Sequence, residues 1–135
     1  MSKSKVLLAD DHPNVLEIIG KLLEPSFEVI GKVCDGQALV EAAMNLKPDV
    51  IITDISMPIL NGIEAANKLK KSGCKSKVVF LTVHTDPDFV RACFAAAALG
   101  FVVKPRMATD LLPAIRDALA GRSFVSSNLH YQNGA

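Results

Sequence analysis

Short apolar runs recur along the chain and alternate with longer segments. The runs are continuous rather than alternating with polar residues, which is typical of central strands covered on both faces, as in parallel sheets. They lie at residues 6–9, 29–30, 50–52, 78–81 and 101–103. The second run is the weakest, so we predict that it forms an edge strand. The pattern therefore predicts five strands in one parallel sheet.

The segments between the runs have helical spacing. In the first, Val15, Ile18, Ile19, Leu22 and Leu23 recur at i, i+3, i+4, i+7 and i+8, which marks one apolar helix face. Strand and helix alternate in this way throughout the chain. Such alternation predicts a doubly wound α/β fold, with helices on both faces of the sheet and right-handed crossovers.

Capping residues locate several helix ends. Asp35 and Asp86 are positioned as N-caps of the second and fourth helices. We predict a third helix at about residues 62–71 and a fifth at about residues 109–120, with Gly121 at its C-cap.

Composition narrows the class of protein. The 135 residues suit one domain, and 15 basic against 14 acidic residues give no bulk attraction to nucleic acid or membrane. The richest apolar stretch, residues 92–103, is shorter than the roughly 18 residues that a membrane span needs. No signal-peptide pattern follows the N-terminus, so a cytoplasmic location is expected. The three cysteines are far apart and are expected to be reduced, with Cys93 facing the core.

Polar residues with reactive side chains follow four of the predicted strands. They are Asp10, Asp11, Asp54, Thr82 and Lys104, and the carboxyl ends of parallel strands meet at one rim. Three carboxylates packed together repel one another unless a cation neutralises them. An oxygen-rich site of this kind suits Mg²⁺, whereas zinc is disfavoured because no His or Cys cluster is evident.

The same rim suggests phosphoryl chemistry. A strand-end carboxylate can attack a phosphoryl group, and Asp54 stands alone in the middle of the sheet. Lys104 and Thr82 could neutralise and hydrogen-bond the phosphoryl oxygens. Taken singly, each residue is as readily a turn, cap or surface group, and only their joint placement favours a site. His12 and His84 flank the rim, and we assign neither a catalytic role.

Several blocks of sequence resemble the response-regulator receiver family of bacterial two-component signalling over roughly residues 5–125. The blocks are LADDHP at residues 8–13, PDVIITDISMP at residues 48–58, Asn61-Gly62, Thr82, and GFVVKP at residues 100–105. The resemblance implies a flavodoxin/CheY-like (βα)5 fold with a five-stranded parallel sheet in the order 2-1-3-4-5.

The resemblance also implies roles for the rim residues. Asp54 would be phosphorylated by a sensor histidine kinase or phosphotransfer protein. Mg²⁺ would be held by Asp10 or Asp11, by Asp54 and by the backbone carbonyl of Ser56. Lys104 would form a salt bridge with the phosphoryl group. The chain would thus be a signalling switch and not an enzyme, catalysing only its own phosphotransfer and a slow autodephosphorylation.

Other implications of the resemblance concern the output. In the family, Thr82 moves toward the phosphoryl oxygen, and the aromatic residue at Phe101 turns inward. The Lys104-Pro105 peptide bond is expected to be cis. The family usually has a glycine where this chain has Ala97, at the end of the fourth helix. Because a left-handed cap would cost alanine about 1 kcal/mol, we predict that this helix end is extended or rearranged.

The motif at residues 10–13 and the ending at residues 118–126 look most like the NarL/FixJ-type transcriptional regulators. We therefore expect a receiver domain at residues 1–125 and a tail, or the start of a linker to an absent effector domain, at residues 126–135. Transcription would be regulated through that effector, without direct nucleic-acid or membrane binding by this chain and with possible homodimers on phosphorylation. The alternative is a free-standing receiver that acts by docking or in a phosphorelay.

Two other classes of protein share parts of this pattern. A haloacid-dehalogenase-like phosphatase also has a nucleophilic Asp at a strand end, but it carries a second Asp where this chain has Ser56. A flavodoxin-like protein grips a flavin phosphate with a Ser/Thr-rich first loop, whereas the loop here is acidic. Both are less consistent with the residues than a switch.

Overall fold

The apolar runs form the strands of one parallel sheet in the computed structural model, which describes residues 3–126. The strands are β1 (Lys5–Ala9), β2 (Glu28–Val33), β3 (Val50–Thr53), β4 (Lys77–Thr82), β5 (Gly100–Val103) and β6 (Phe124–Val125). They pair in the order β2-β1-β3-β4-β5-β6. The doubly wound fold and the predicted order are confirmed, as is the edge position of the second strand. The short sixth strand was not predicted.

Five helices cover the two faces of the sheet. They are α1 (Pro13–Leu23), α2 (Gly36–Leu46), α3 (Gly62–Lys71), α4 (Pro87–Ala95) and α5 (Met107–Leu119), the last preceded by a 3-10 turn (Lys104–Arg106). The apolar faces of α2, α3 and α4 build one core with half of the strand side chains, and α1 and α5 build the other core with the remaining half. Side chains alternate along a strand, so each central strand feeds both cores.

Most helix ends agree with the capping signals. The Asp35 carboxylate accepts a hydrogen bond from the Ala38 N–H at 2.7 Å, and that of Asp86 accepts one from Asp88 at 2.8 Å. Both predicted N-caps are therefore confirmed. Helix α5 begins at Met107, earlier than predicted, because the 3-10 turn leads directly into it.

The end of α4 is an ordinary left-handed cap, so the prediction of an extended or rearranged end was wrong. Ala97 adopts φ 70°. Its N–H donates to the Phe94 carbonyl at 3.0 Å, and the Ala98 N–H donates to that of Cys93 at 3.1 Å. This is the Schellman pattern, which closes α3 with Gly73 in the same role. The two hydrogen bonds, with burial of Ala98, outweigh a strain of about 1–2 kcal/mol.

The Lys104-Pro105 peptide bond is trans, as are all peptide bonds among the described residues, so the cis expectation was wrong. Pro105 lies in the first turn of the 3-10 segment. Its restricted φ suits that position, and its missing N–H is not needed there. The trans bond therefore continues the chain smoothly from β5 into α5.

The remaining expectations concern the cysteines and membrane spans. All three cysteines are free, and Cys93 is fully buried as predicted. Burial raises the pKa of the Cys93 thiol to about 12. Among residues 3–126, no helix is both long and apolar enough to cross a bilayer. The predicted tail, apart from Ser126, lies outside the described residues.

Candidate functional site

Two buried carboxylates lie side by side at the carboxyl edge of the sheet. Because β1 and β3 pair with Ala9 opposite Thr53, the next residues, Asp10 and Asp54, become neighbours. The Asp54 N–H donates to the Ala9 carbonyl at 3.0 Å, which fixes the backbone at this point. Asp10 is 1% exposed and Asp54 is 5% exposed. Two buried acids this close require positive charge nearby.

Lys104 supplies that charge from the end of β5. Its Nζ lies 2.8 Å from Asp10 Oδ2 and 2.9 Å from Asp54 Oδ2. Burial alone would lower the pKa of Lys104, but hydrogen bonds to both carboxylates and their negative charges raise it above its ordinary value. The lysine is therefore protonated at neutral pH. It was predicted at this rim, and the structure brings it into contact with both acids.

A third carboxylate opens the site toward solvent. Asp11 Oδ1 lies 3.0 Å from His12 Nδ1, which is also 3.1 Å from Asp10 Oδ1. Ligand atoms of Asp10, Asp11, His12 and Asp54 all lie within 4.8 Å of one another. Three carboxylates against one lysine leave negative charge at an accessible point. A divalent cation that prefers oxygen ligands fits this donor set. His12, to which no role was assigned, lies at its border.

The loop after β3 is held against Asp54 by close backbone contacts. The Ile55 N–H donates to Asp54 Oδ1 at 2.7 Å, and the Gly62 N–H donates to the Ile55 carbonyl at 2.7 Å. A Cβ at Gly62 would lie only 1.9 Å from the Asp54 carbonyl oxygen. Only glycine lets the N-terminus of α3 approach this closely.

Gly36, at the start of α2, performs a similar role that sequence reasoning missed. A Cβ there would lie 2.0 Å from the Leu60 carbonyl oxygen in the same loop. The helices α2 and α3 thus both press on the segment that follows Asp54. Gly36 directly follows the N-cap Asp35, at a position where the backbone angles do not require glycine. A glycine at such a position could have indicated a close contact with another part of the backbone.

The two predicted switch residues are buried on neighbouring strands. Thr82 ends β4 and is 0% exposed, and its Oγ1 accepts a hydrogen bond from the His84 N–H at 3.1 Å. Phe101 in β5 is also 0% exposed and belongs to the core under α2, α3 and α4. The aromatic ring therefore already occupies an inward position in this structure.

Ser56 and His84 connect the loops that follow β3 and β4. Ser56 Oγ lies 2.8 Å from His84 Nε2, and the His84 ring lies 4.9 Å from that of Phe89. The only site role expected of Ser56 was that of its backbone carbonyl, and His84 received no role. Their pairing joins residues 28 positions apart, which no local pattern could reveal.

The structure has an acidic pocket at the carboxyl edge of a doubly wound sheet, with a lysine that contacts two of its carboxylates. This is the arrangement that the sequence motifs implied for a receiver domain. Comparison with known families agrees: the model described as "Response regulator receiver domain" matches residues 6–116. The chain therefore belongs to the response-regulator receiver family, as the sequence motifs had indicated.

Individual relatives point the same way. The chain is 35% identical over 129 residues to the transcriptional regulatory protein YvfU of Bacillus subtilis, covering 94% of this chain and 64% of that protein. It is 34% identical over 130 residues to the response regulator GacA of Pseudomonas aeruginosa, covering 95% of this chain and 61% of that protein. The chain thus spans less than two thirds of these relatives' lengths.

Solved structures of receivers superpose closely on this fold. The signal receiver domain of the response regulator NarL from Mycobacterium tuberculosis aligns with a TM-score of 0.86 and 29% identity, covering 90% of this chain and all of that one. A LuxR-family two-component response regulator from Aurantimonas sp. aligns with a TM-score of 0.89 and 29% identity, covering 95% and 93% of the two chains.

Proposed function

We propose that Asp54 accepts a phosphoryl group and that the resulting change of charge switches an output surface. The observation that carries this proposal is the buried Asp54 carboxylate, whose Oδ2 lies 2.9 Å from Lys104 Nζ. A carboxylate oxygen forms a bond to phosphorus while the bond to the donor's imidazole nitrogen breaks. The imidazole keeps the electron pair and takes up a proton.

Mg²⁺ is the cofactor we propose for this site. Asp10, Asp11 and Asp54 supply closely grouped oxygens, and we assign the backbone carbonyl of Ser56 as a further ligand. When bound, the cation would neutralise the carboxylates and the phosphoryl oxygens. Lys104 contacts both buried acids, so it is positioned to turn one of its N–H groups toward a phosphoryl oxygen on Asp54.

Thr82 is the residue we propose to sense the phosphoryl group. Its Oγ1 accepts the His84 N–H, which leaves its own O–H available to donate. A phosphoryl oxygen on Asp54 would attract that proton and draw the loop after β4 with it. Phe101 is the second switch residue, and its inward ring would support the rearranged loop.

The partners follow from the same chemistry. We propose a sensor histidine kinase or a phosphotransfer protein as donor, and we infer that the output is transcriptional control through an effector domain of a longer regulator. The receiver unit would extend through Ser126, which is buried. Dimerisation on phosphorylation stays a prediction. The other reading, a free-standing receiver, differs only in its output.

Slow turnover distinguishes this function from that of a phosphatase. The residue two positions after Asp54 is Ser56, which cannot act as a carboxylic acid or base toward a leaving group. The phosphoryl-aspartate should therefore persist long enough to act as a signal, with only slow autodephosphorylation.

Intact-protein mass after incubation with acetyl phosphate tests the proposal. We expect one phosphoryl adduct that requires Mg²⁺ and is lost in Asp54→Ala. Asp49→Ala is the matched control, because Asp49 precedes β3 while Asp54 follows it. An adduct that persists in Asp54→Ala would move the acceptor elsewhere, and a complete lack of adduct would leave only a docking role.

A further inference from the structure

The chain that leaves α5 returns to the sheet as its last strand. Strand β6 pairs in parallel with β5, with Phe124 opposite Gly100 and Val125 opposite Phe101. The Phe124 N–H donates to the Leu99 carbonyl at 2.8 Å. The open edge of β5, which would otherwise present unpaired backbone groups, is thus covered by the protein's own C-terminal segment.

Ser126 locks this segment in place. It is 1% exposed, and its N–H donates to the Phe101 carbonyl at 3.0 Å. Its Oγ accepts the Val103 N–H at 3.2 Å. Burial alone would raise the pKa of the nearby Asp110 carboxyl in α5, but the polar side chains of Arg106, Ser126 and Thr109 lower it. One small side chain therefore joins the C-terminal segment to the end of β5 and lies near the first turn of α5.

This junction lies directly beside the site's lysine. Val103, whose N–H is bound by Ser126, is the residue before Lys104. On the other side, Arg106 Nε donates to Asp110 Oδ2 at 2.9 Å. The backbone of Lys104 is thus held between two points: Val103, which is bonded to Ser126, and Arg106, which is bonded to Asp110 near Ser126. Lys104 Nζ already lies 2.9 Å from Asp54 Oδ2, so a phosphoryl group bonded to Asp54 has to displace the ammonium group. A displacement that reaches the Lys104 backbone acts on these contacts.

We propose that Ser126 is a positioning residue that couples Lys104 to the C-terminal segment at residues 124–126. The inference rests on the proposed function, because the displacement it transmits is that of Lys104 when a phosphoryl group is bonded to Asp54. Coupling of this kind is reciprocal. Phosphorylation changes how firmly the segment is held, and the hold on the segment changes how readily the site is phosphorylated.

The test compares Ser126→Ala with Ser123→Ala, an exposed serine just before β6. Hydrogen exchange of the full chain is followed at residues 99–104 and 124–126, before and after acetyl phosphate with Mg²⁺. Before phosphorylation, exchange of the Val103 amide should be about five-fold faster in Ser126→Ala, the effect of one lost hydrogen bond, and unchanged in Ser123→Ala. After phosphorylation, exchange at residues 124–126 should change several-fold in the wild type and in Ser123→Ala but not in Ser126→Ala.

Intact mass on the same samples separates the possible failures. If the adduct forms and exchange at residues 124–126 is the same with and without it, the coupling is overturned while the proposed function stands. The coupling is also overturned if Ser126→Ala responds like the wild type, since Ser126 would then serve the fold alone. If the wild type forms no adduct, the proposed function fails, and the coupling that rests on it fails with it.

Discussion

The ammonium group of Lys104 lies 2.9 Å from a carboxylate oxygen of Asp54, although the two residues are 50 positions apart. Strand β4 lies between their strands in the sheet, so the lysine side chain must cross the end of β4. The contact joins the strand ends of β3 and β5 across the site. The charge balance of the buried carboxylates therefore depends on Lys104.

Replacing Lys104 should destabilise the metal-free protein. In Lys104→Ala, Asp10 and Asp54 lose their shared cation, and we expect a loss of about 3–5 kcal/mol in the free energy of unfolding. Mg²⁺ should then raise the melting temperature more in the variant than in the wild type, because the lysine no longer competes for the carboxylates. Thermal melts with and without Mg²⁺ measure both effects. Lys77→Ala, at the start of β4, is the control. If Mg²⁺ raised the melting temperature equally in Lys104→Ala and in the wild type, the assignment of the metal site to the carboxylates that Lys104 contacts would be contradicted.

The left-handed cap of α4 should be improved by glycine. Ala97→Gly is expected to stabilise the protein by about 1 kcal/mol, because φ 70° is strained for alanine and free for glycine. Urea unfolding gives the difference. The matched change is Gly73→Ala at the cap of α3, where a Cβ would meet nothing within 4 Å, so that it should destabilise by a similar amount through strain alone. A destabilised Ala97→Gly would argue against this cap.

Glycines that touch the loop after Asp54 should tolerate no side chain. Gly62→Ala would push a methyl group into the Asp54 carbonyl, and we expect a loss of about 2–3 kcal/mol with impaired phosphorylation. Gly36→Ala should act similarly through Leu60. Gly20→Ala in α1 is the control, since its Cβ would meet only the movable end of the Lys32 side chain. Acetyl phosphate labelling and urea unfolding provide the measurements, and a fully active Gly62→Ala would refute the contact.

Acid should weaken the junction at Asp110. Burial alone would raise the pKa of Asp110, but hydrogen bonds from Arg106, Ser126 and Thr109 lower it below its ordinary value of 3.8. Since the folded pKa is the lower one, this contribution to stability is complete above pH 3.8 and is lost as the pH falls toward the folded pKa. The free energy of unfolding, measured with urea, should therefore be higher for the wild type than for Asp110→Asn at pH 7. The difference should be smaller at pH 3. The control is Asp117→Asn, which breaks the exposed ion pair of Asp117 and Arg122. We expect this substitution to change the free energy of unfolding little at either pH.

Thiol reactivity should differ among the three cysteines. The Cys93 thiol is buried and its pKa is raised to about 12, so it stays protonated and unreactive at neutral pH. Cys34 is exposed and should be alkylated first. Peptide mapping after brief iodoacetamide treatment distinguishes them, and unfolded protein should label at all three. Rapid labelling of Cys93 in the folded state would contradict its place in the core.

Much of the fold is visible in local patterns. The strand runs, the helix over residues 62–71 and the caps at Asp35 and Asp86 depend on residues within one or two turns of each other, so the sequence predicts them well. The rim residues were also predictable, because a residue that follows a buried parallel strand must lie at the carboxyl edge. Contacts between loops, such as that of Ser56 with His84, have no such local signal.

The sequence by itself therefore determined the layer architecture, the order of elements and the group of acids with Lys104. Those features follow from hydrophobic periodicity and from the geometry of parallel strands. Only the tertiary structure decided that Ala97 accepts a left-handed cap, that the bond before Pro105 is trans, and that Ser126 is buried against β5. For Ala97, packing and hydrogen bonds outweigh a local strain of about 1–2 kcal/mol. The bond before a proline prefers trans by only about 0.5–1 kcal/mol, so the surrounding structure selects the isomer. The burial of Ser126 depends on contacts with residues distant in sequence, for which no local preference exists.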